Sequence, residues 1–327
     1  MIYPEFIQKN DLIGISAPSA GVGRKLESFD MSLDTLHSYG FRTKETASVR
    51  VDDIRSNTAK IRGRELTSLF LDDEVKMVMS AAGGDFLNEI LPYVDFSAMK
   101  KHPKWLMGAS DPTGILFPYT VKYDVATIYG MNAGSFDLDP LPPFCKNAIR
   151  ILQGKNIIQR SYDYYMSTPG FMAETVEYDT PVRWEGTVSS VDTTGRCIGG
   201  CIDALKDLIG TKYETVRSFV SKYRDDGFIW YFDNFSLSAE VFYRTLVQMG
   251  YAGWFRGTKA VIVGRVLFES SETGMTYEEA IRRALPKVPV LYQADIGHTI
   301  PNMTMINGAL MNVKYNNHKA RISFELK

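Results

Sequence analysis

The chain has 327 residues, of which 45% are hydrophobic and 23% charged, and a formal net charge of −1. That length favours two domains and the composition is that of a globular, enzyme-sized protein, while the near-neutral charge gives no electrostatic case for nucleic acid or an anionic membrane as partner. No window approaches the roughly 18 apolar residues of a transmembrane helix, the opening MIYPEFIQKND lacks the features of a secretory signal, and three cysteines suit a reducing, cytoplasmic compartment better than a disulfide framework.

In chain order, DLIGISAPSAG predicts a first strand leaving into a small-residue loop. SFDMSLDTLHSYG has helical spacing with a stop at Gly40. FRTKETA then reads as a strand, TAKIRGRELTSLFLDD as a polar helix and VKMVMSA as a buried strand ending in AGGDF. FLNEILPYVDF opens a further helix. KWLMGA is the next buried strand, TGILFPYTV its helix, and VATIYG another strand. This alternation predicts a parallel, doubly wound sheet whose functional loops lie beyond the carboxyl ends of the strands. Between about 132 and 185 the pattern weakens into a domain connection with a long surface loop. Beyond it come GTVSSV, a Gly-rich turn in GRCIGGCIDALKDLIG, the strand GFIWYFD, the helix SAEVFYRTLVQMG, and the strands KAVIVGRV and PVLYQADIGH. The tail from Met303 alternates as a β meander with NN at its turn. The expected fold is therefore α/β: an N-terminal doubly wound parallel-sheet domain (1–150), a linker and surface loop (151–185), and a smaller C-terminal α/β domain with a β-rich tail (186–327).

Four places carry candidate chemistry. In LMGASDPTG, Ser110 sits at a corner between a buried strand and a helix whose first turn holds Pro112. A helix N-terminus there would stabilise an oxyanion; the arrangement shares the logic of the nucleophile elbow without its G-x-S-x-G letters. An N-capping serine is the other reading. Of the four histidines, His298 alone follows a buried strand, in ADIGHTIPN, where a catalytic base or a structural loop histidine would stand. Asp233 ends the almost wholly apolar GFIWYFD, and a carboxylate buried there needs a partner. That partner is either an imidazole or the N-terminus of the next helix. The glycines of SAAGGDF allow close backbone approach and offer N–H donors, without the spacing of a phosphate loop. Cys197 and Cys201 lie four apart with no further Cys or His pair to complete a site. Cys145 stands alone, so neither metal nor cofactor is expected.

Taken in order, DLIGISAPSA, DDIRSNTAKIRGRELTSLFLDDEVKMVMSAAGGDFLNEILPYVDF, LMGASDPTGIL, GRCIGGCIDALKDLIGT, GFIWYFDNFS and ADIGHTIPNMTMINGAL resemble the LD-carboxypeptidase and microcin C self-immunity serine peptidase family. The GGD form of the glycine motif looks more like the microcin-immunity branch. The resemblance implies a Ser-acid-His triad split across two domains, with Ser110 as nucleophile, His298 as base and Asp233 where the family has Glu. It implies an oxyanion hole from the backbone of Asp111 and one glycine of the pair, Gly84 or else Gly83, with Gly83 and Asp85 against the substrate. The implied substrate is a small peptide or peptidyl-nucleotide, with a muropeptide tetrapeptide as the alternative, and the implied assembly is a homodimer. A non-catalytic binding protein of the same fold is the rival that Asp233 in place of Glu keeps open. The microcin-immunity branch is expected to stack tryptophans on a nucleotide base; the loop here offers Tyr162, Tyr164, Tyr165, Phe171 and Trp184, none assignable to that role from sequence.

Overall fold

Continuous apolar runs form the interior strands of the first unit. The computed structural model describes residues 1–170 and 175–327, in two units: Met1–Asn156 with Thr304–Ile306, and Ile157–Met303 with Asn307–Lys327. In the first unit, β1 (Leu12–Ser16), β2 (Arg42–Glu45), β3 (Val75–Ser80), β4 (Trp105–Gly108) and β5 (Thr127–Tyr129) lie in the order β2-β1-β3-β4-β5, with Met305–Asn307 beyond β5. The pairs among β1 to β5 are all parallel. Every residue of β1, β4 and β5 is buried, as a parallel sheet covered on both faces requires. The covering helices are α1 (Leu26–Ser38), α2 (Ala59–Leu71), α3 (Phe96–Lys101), α4 (Thr113–Val121) and α5 (Pro143–Leu152). Thr58 caps α2 by accepting the Ile61 N–H, and Asp95 caps α3 by accepting the Ala98 N–H.

Two stretches of this unit differ from the reading above. FLNEILPYVDF folds as a 3₁₀ helix over Leu87–Tyr93, and the α-helix starts only at Phe96. Pro92 has no N–H to give an α-helical ladder. The proline-rich stretch before α5 conceals a strongly amphipathic helix. Pro143 stands in its first turn, where a missing N–H costs nothing, and Phe144, Cys145, Ala148, Ile149, Ile151 and Leu152 are buried.

The second unit is built on an eight-stranded mixed sheet. Four central strands run parallel: Ser190–Cys201, Phe228–Asp233, Thr258–Gly264 and Val290–Ala294. Antiparallel strands flank them, Leu310–Asn316, Lys319–Glu325 and Gln159–Arg160 on one side and Glu185–Gly186 on the other. The expected Gly-rich turn is a correction: Gly195 to Cys201 belong to the 12-residue strand. A Cβ on Gly199 would lie 1.9 Å from the Tyr231 carbonyl oxygen, so the glycine permits a close approach by the neighbouring strand. The tail departs from a continuous meander as well, because Met305–Asn307 pairs in the first unit's sheet. Its hairpin turns at Asn317 and His318, both at positive φ, one residue beyond the expected position. Among the described residues no helix is long and apolar enough to cross a membrane.

Candidate active site

In the first unit the sharp exit from β4 puts Ser110 at φ 67°, a left-handed conformation uncommon for a residue with a side chain. Helix α4 follows at once, its entry tied by the Thr113 N–H to the Ser110 carbonyl at 2.9 Å. The corner is held from both sides: Asn132 Oδ1 accepts the Ala109 N–H at 3.0 Å, and the Tyr129 hydroxyl accepts the Ser110 N–H at 3.1 Å. Gly108 has to be glycine here, since a Cβ would stand 2.8 Å from Pro112 Cβ. So Ser110 occupies a strained strand-to-helix elbow and is not a helix cap; Pro112 holds the N-cap position of α4, with no side-chain cap.

The glycine motif packs against this elbow. A Cβ on Gly83 would meet Ser110 Cβ at 3.2 Å and its Oγ at 3.4 Å, so Gly83 borders the hydroxyl directly. Gly84, at φ 143°, lies against Ser19 and Ala20, and the Gly83 carbonyl accepts the Ala20 N–H at 3.0 Å. Asp85 is exposed. The Asp111 carboxylate turns inward, taking the Ser19 hydroxyl in a short hydrogen bond and the Leu87 N–H at 2.9 Å on the same oxygen. Burial raises its pKa against those two hydrogen bonds.

One cation organises the loops around Asp111. Arg62 is fully buried on α2, and its guanidinium donates to the carbonyls of Asn57, Pro18, Ser19 and Phe86 and to Glu89 at 3.1 Å. It thereby joins the loop carrying Ser19 to the chain that follows the glycine motif. Sequence reasoning missed it, although the signal exists: Arg62 shares a helix face with the buried Leu66, Leu69 and Phe70.

In the second unit Asp233 and His298 come together. Asp233 ends its strand with no exposed surface, and His298 Nδ1 lies 2.8 Å from Asp233 Oδ2. The approach depends on Gly297, at φ 98°, where a Cβ would fall 1.9 Å from Asp233 Oδ1. The Phe235 ring packs on the imidazole at 4.6 Å between centroids. Asp203 accepts the Phe235 and Ser236 N–H groups, fixing the turn after Asp233. Burial alone would lower the pKa of His298; attraction and a hydrogen bond from Asp233, helped by the more distant Asp203, reverse this and leave it raised. Asp233 is thus paired with the imidazole, and the next helix is capped by Ser238 instead.

Of the loop aromatics, Trp184 is fully buried, Tyr164 is exposed, and Tyr165 lies under the Arg265 guanidinium. Tyr162 is anchored through its backbone N–H and its hydroxyl. Phe171 lies outside the described residues. The three cysteines are buried thiols, and among the described residues no group of three or more His, Cys, Asp or Glu is placed to hold a metal ion.

Comparison with known proteins fits these features into one lineage. Residues 13–130 match the LD-carboxypeptidase N-terminal domain and residues 194–313 the LD-carboxypeptidase C-terminal domain. The microcin C7 self-immunity protein MccF of Escherichia coli is 24% identical over 96% of this chain and 93% of its own length. Among solved structures, MccF in complex with glutamyl sulfamoyl guanosine superposes with a TM-score of 0.83 at 23% identity, covering 99% of both chains. The muramoyltetrapeptide carboxypeptidase from Oxalobacter formigenes superposes with a TM-score of 0.75 at 19% identity, covering 96% of this chain and 98% of its own. With both domain models matched in order and the two-unit α/β fold shared throughout, this chain belongs to the LD-carboxypeptidase family of peptidases.

Proposed function

We propose that this protein is a serine carboxypeptidase that cleaves an amide near the C-terminal end of a peptidyl-nucleotide substrate. The observation that carries the reading is the Asp233–His298 pair. A buried carboxylate 2.8 Å from Nδ1 fixes the tautomer that leaves Nε2 basic. In this reading Ser110 Oγ attacks the carbonyl carbon and gives its proton to His298 Nε2. The oxyanion is held by the backbone N–H groups of Asp111 and Gly84; the Ser110 N–H is already directed to Tyr129, which favours the next N–H in the chain. Collapse expels the amine, protonated by His298, and leaves an acyl ester on Ser110. Water, deprotonated by the same imidazole, then releases the acid. Gly83 and Asp85 border the substrate. The mechanism requires Ser110 of the first unit to meet His298 of the second.

The substrate preference rests on GGD and on the solved MccF complex with a sulfamoyl nucleoside. The likeness to a muramoyltetrapeptide carboxypeptidase supports a second reading, cleavage of the L,D-amide of a muropeptide tetrapeptide. A homodimer in the cytoplasm belongs to the same proposal, the dimer being checked by sedimentation. The functional test sets aspartyl sulfamoyl adenosine against a muropeptide tetrapeptide under identical conditions, with Ser110→Ala alongside. Ser110-dependent release of aspartate supports the first reading and release of the terminal D-residue the second. Hydrolysis of neither, with binding of one of them, identifies the non-catalytic alternative.

A further inference from the structure

Asp295 lies three residues before His298, has no exposed surface, and has no part in the mechanism above. Its carboxylate is charge-paired with Arg265, itself only 3% exposed, through Oδ1. Arg265 also donates to the Gln293 carbonyl at 3.0 Å and lies 4.2 Å over the Tyr165 ring. The other carboxylate oxygen, Oδ2, accepts the Trp184 indole N–H at 2.9 Å and the Tyr162 backbone N–H at 3.1 Å. Those two donors flank residues 163–183, so a single oxygen atom joins the two ends of that stretch.

The same residue closes the loop that carries the imidazole. The Asp295 carbonyl accepts the Met303 N–H at 2.7 Å, and Asn302 Nδ2 donates to the Gly297 carbonyl at 2.8 Å inside the loop. Segment and loop are further tied by the Met166 N–H on the Ile300 carbonyl and the Tyr162 hydroxyl on the Asn302 carbonyl. Charge-assisted hydrogen bonds in a buried site are the strong, directional ones. Two stretches of chain that donate to one such group are held in register with whatever else that group holds.

We propose that Asp295, ion-paired with Arg265, is a positioning residue that ties the chain at Tyr162 and Trp184, which border residues 163–183, to the His298 loop. A molecule that engages the segment is thereby registered at the imidazole. This rests on the reading of His298 as the general base, but its test does not need turnover.

Trp184→Phe removes one donor with little change of shape, and Asp295→Asn removes the charge. Trp254→Phe, the same exchange at another fully buried tryptophan of the same unit, is the control for general destabilisation. The chain has four histidines, so their ring resonances can be followed across pH and His298 assigned through His298→Gln. Chymotrypsin reports on the segment by cutting after Tyr164 or Tyr178, both exposed. Trp184→Phe is expected to move the His298 titration midpoint down toward the ordinary value of about 6.5 and to speed cleavage about tenfold. Trp254→Phe is expected to do neither. Asp295→Asn is expected to exceed Trp184→Phe in both respects; should it fail to fold for want of a partner for Arg265, Trp184→Phe carries the test alone. The proposal is overturned if Trp184→Phe leaves midpoint and cleavage at wild-type values, or if Trp254→Phe changes both equally. Loss of hydrolysis on every substrate would refute the peptidase reading while leaving these two measurements intact.

Discussion

At Asp233 the side chain is one methylene shorter than the glutamate that the family resemblance implies, and the local packing shows how an imidazole still reaches it. Gly297 lies so close to the Asp233 carboxylate that any side chain there would occupy its space. We therefore expect Asp233→Glu, although it installs the residue that the resemblance implies, to overpack this site and destabilise the protein by about 1–3 kcal/mol, lowering kcat; a rise in both activity and Tm would refute that view. The raised pKa of His298 gives a second prediction. A group whose folded pKa exceeds its unfolded value stabilises fully below the unfolded value, and that contribution is lost as pH rises through the folded one. Activity needs the neutral base, so it moves the other way. Between about pH 6 and pH 9, spanning the ordinary histidine value of about 6.5, kcat/KM should rise while denaturant-derived stability falls, and Asp233→Asn should flatten the stability trend. Parallel trends would contradict the pairing. The residues themselves were legible: an acid at the end of an apolar strand must have a partner, and only one histidine stood beyond a buried strand. Gly297 was not legible as a packing requirement, because nothing local announces that a carboxylate from residue 233 will press on it.

Among the elements, the apolar runs of β1, β3, β4 and β5 were read correctly because a sheet buried on both faces leaves no room for polar alternation. Two of the misreadings share one cause. Glycine and proline punctuate chains locally, but at Gly199 and Pro143 their role is set by a neighbour or by position in a helix. Arg62 is the element-scale counterpart of this lesson. Its charge sits on an apolar helix face because four backbone carbonyls converge on it, and no sequence pattern displays converging carbonyls. Replacing it with methionine keeps the volume and strands those carbonyls, while Glu89 keeps Arg55 at 3.3 Å. Leaving a buried polar group without its partner costs about 1–3 kcal/mol, so Arg62→Met should unfold at markedly lower denaturant. Its effect on kcat, measured on folded protein, should exceed that on KM, because the loops it ties border Ser110 and Asp111 rather than the distal substrate. An unchanged kcat would show that Arg62 serves stability alone.

For the whole molecule, Ser110 belongs to one unit and the Asp233–His298 pair to the other, so the proposed chemistry draws on both. Each of these residues stands out at its own strand end; that they act together is what the family resemblance implies. The tail could not be apportioned from its alternation, since Met305–Asn307 and the hairpin after it share one pattern while serving different sheets. The most direct test of the account asks whether the hydroxyl of one unit is activated by the imidazole of the other. A fluorophosphonate should phosphonylate Ser110 in the intact chain, identified by mass spectrometry, and the rate should fall by about 10³-fold or more in His298→Gln. Labelling of Ser110 at an undiminished rate without His298, or labelling only at other residues, would contradict it.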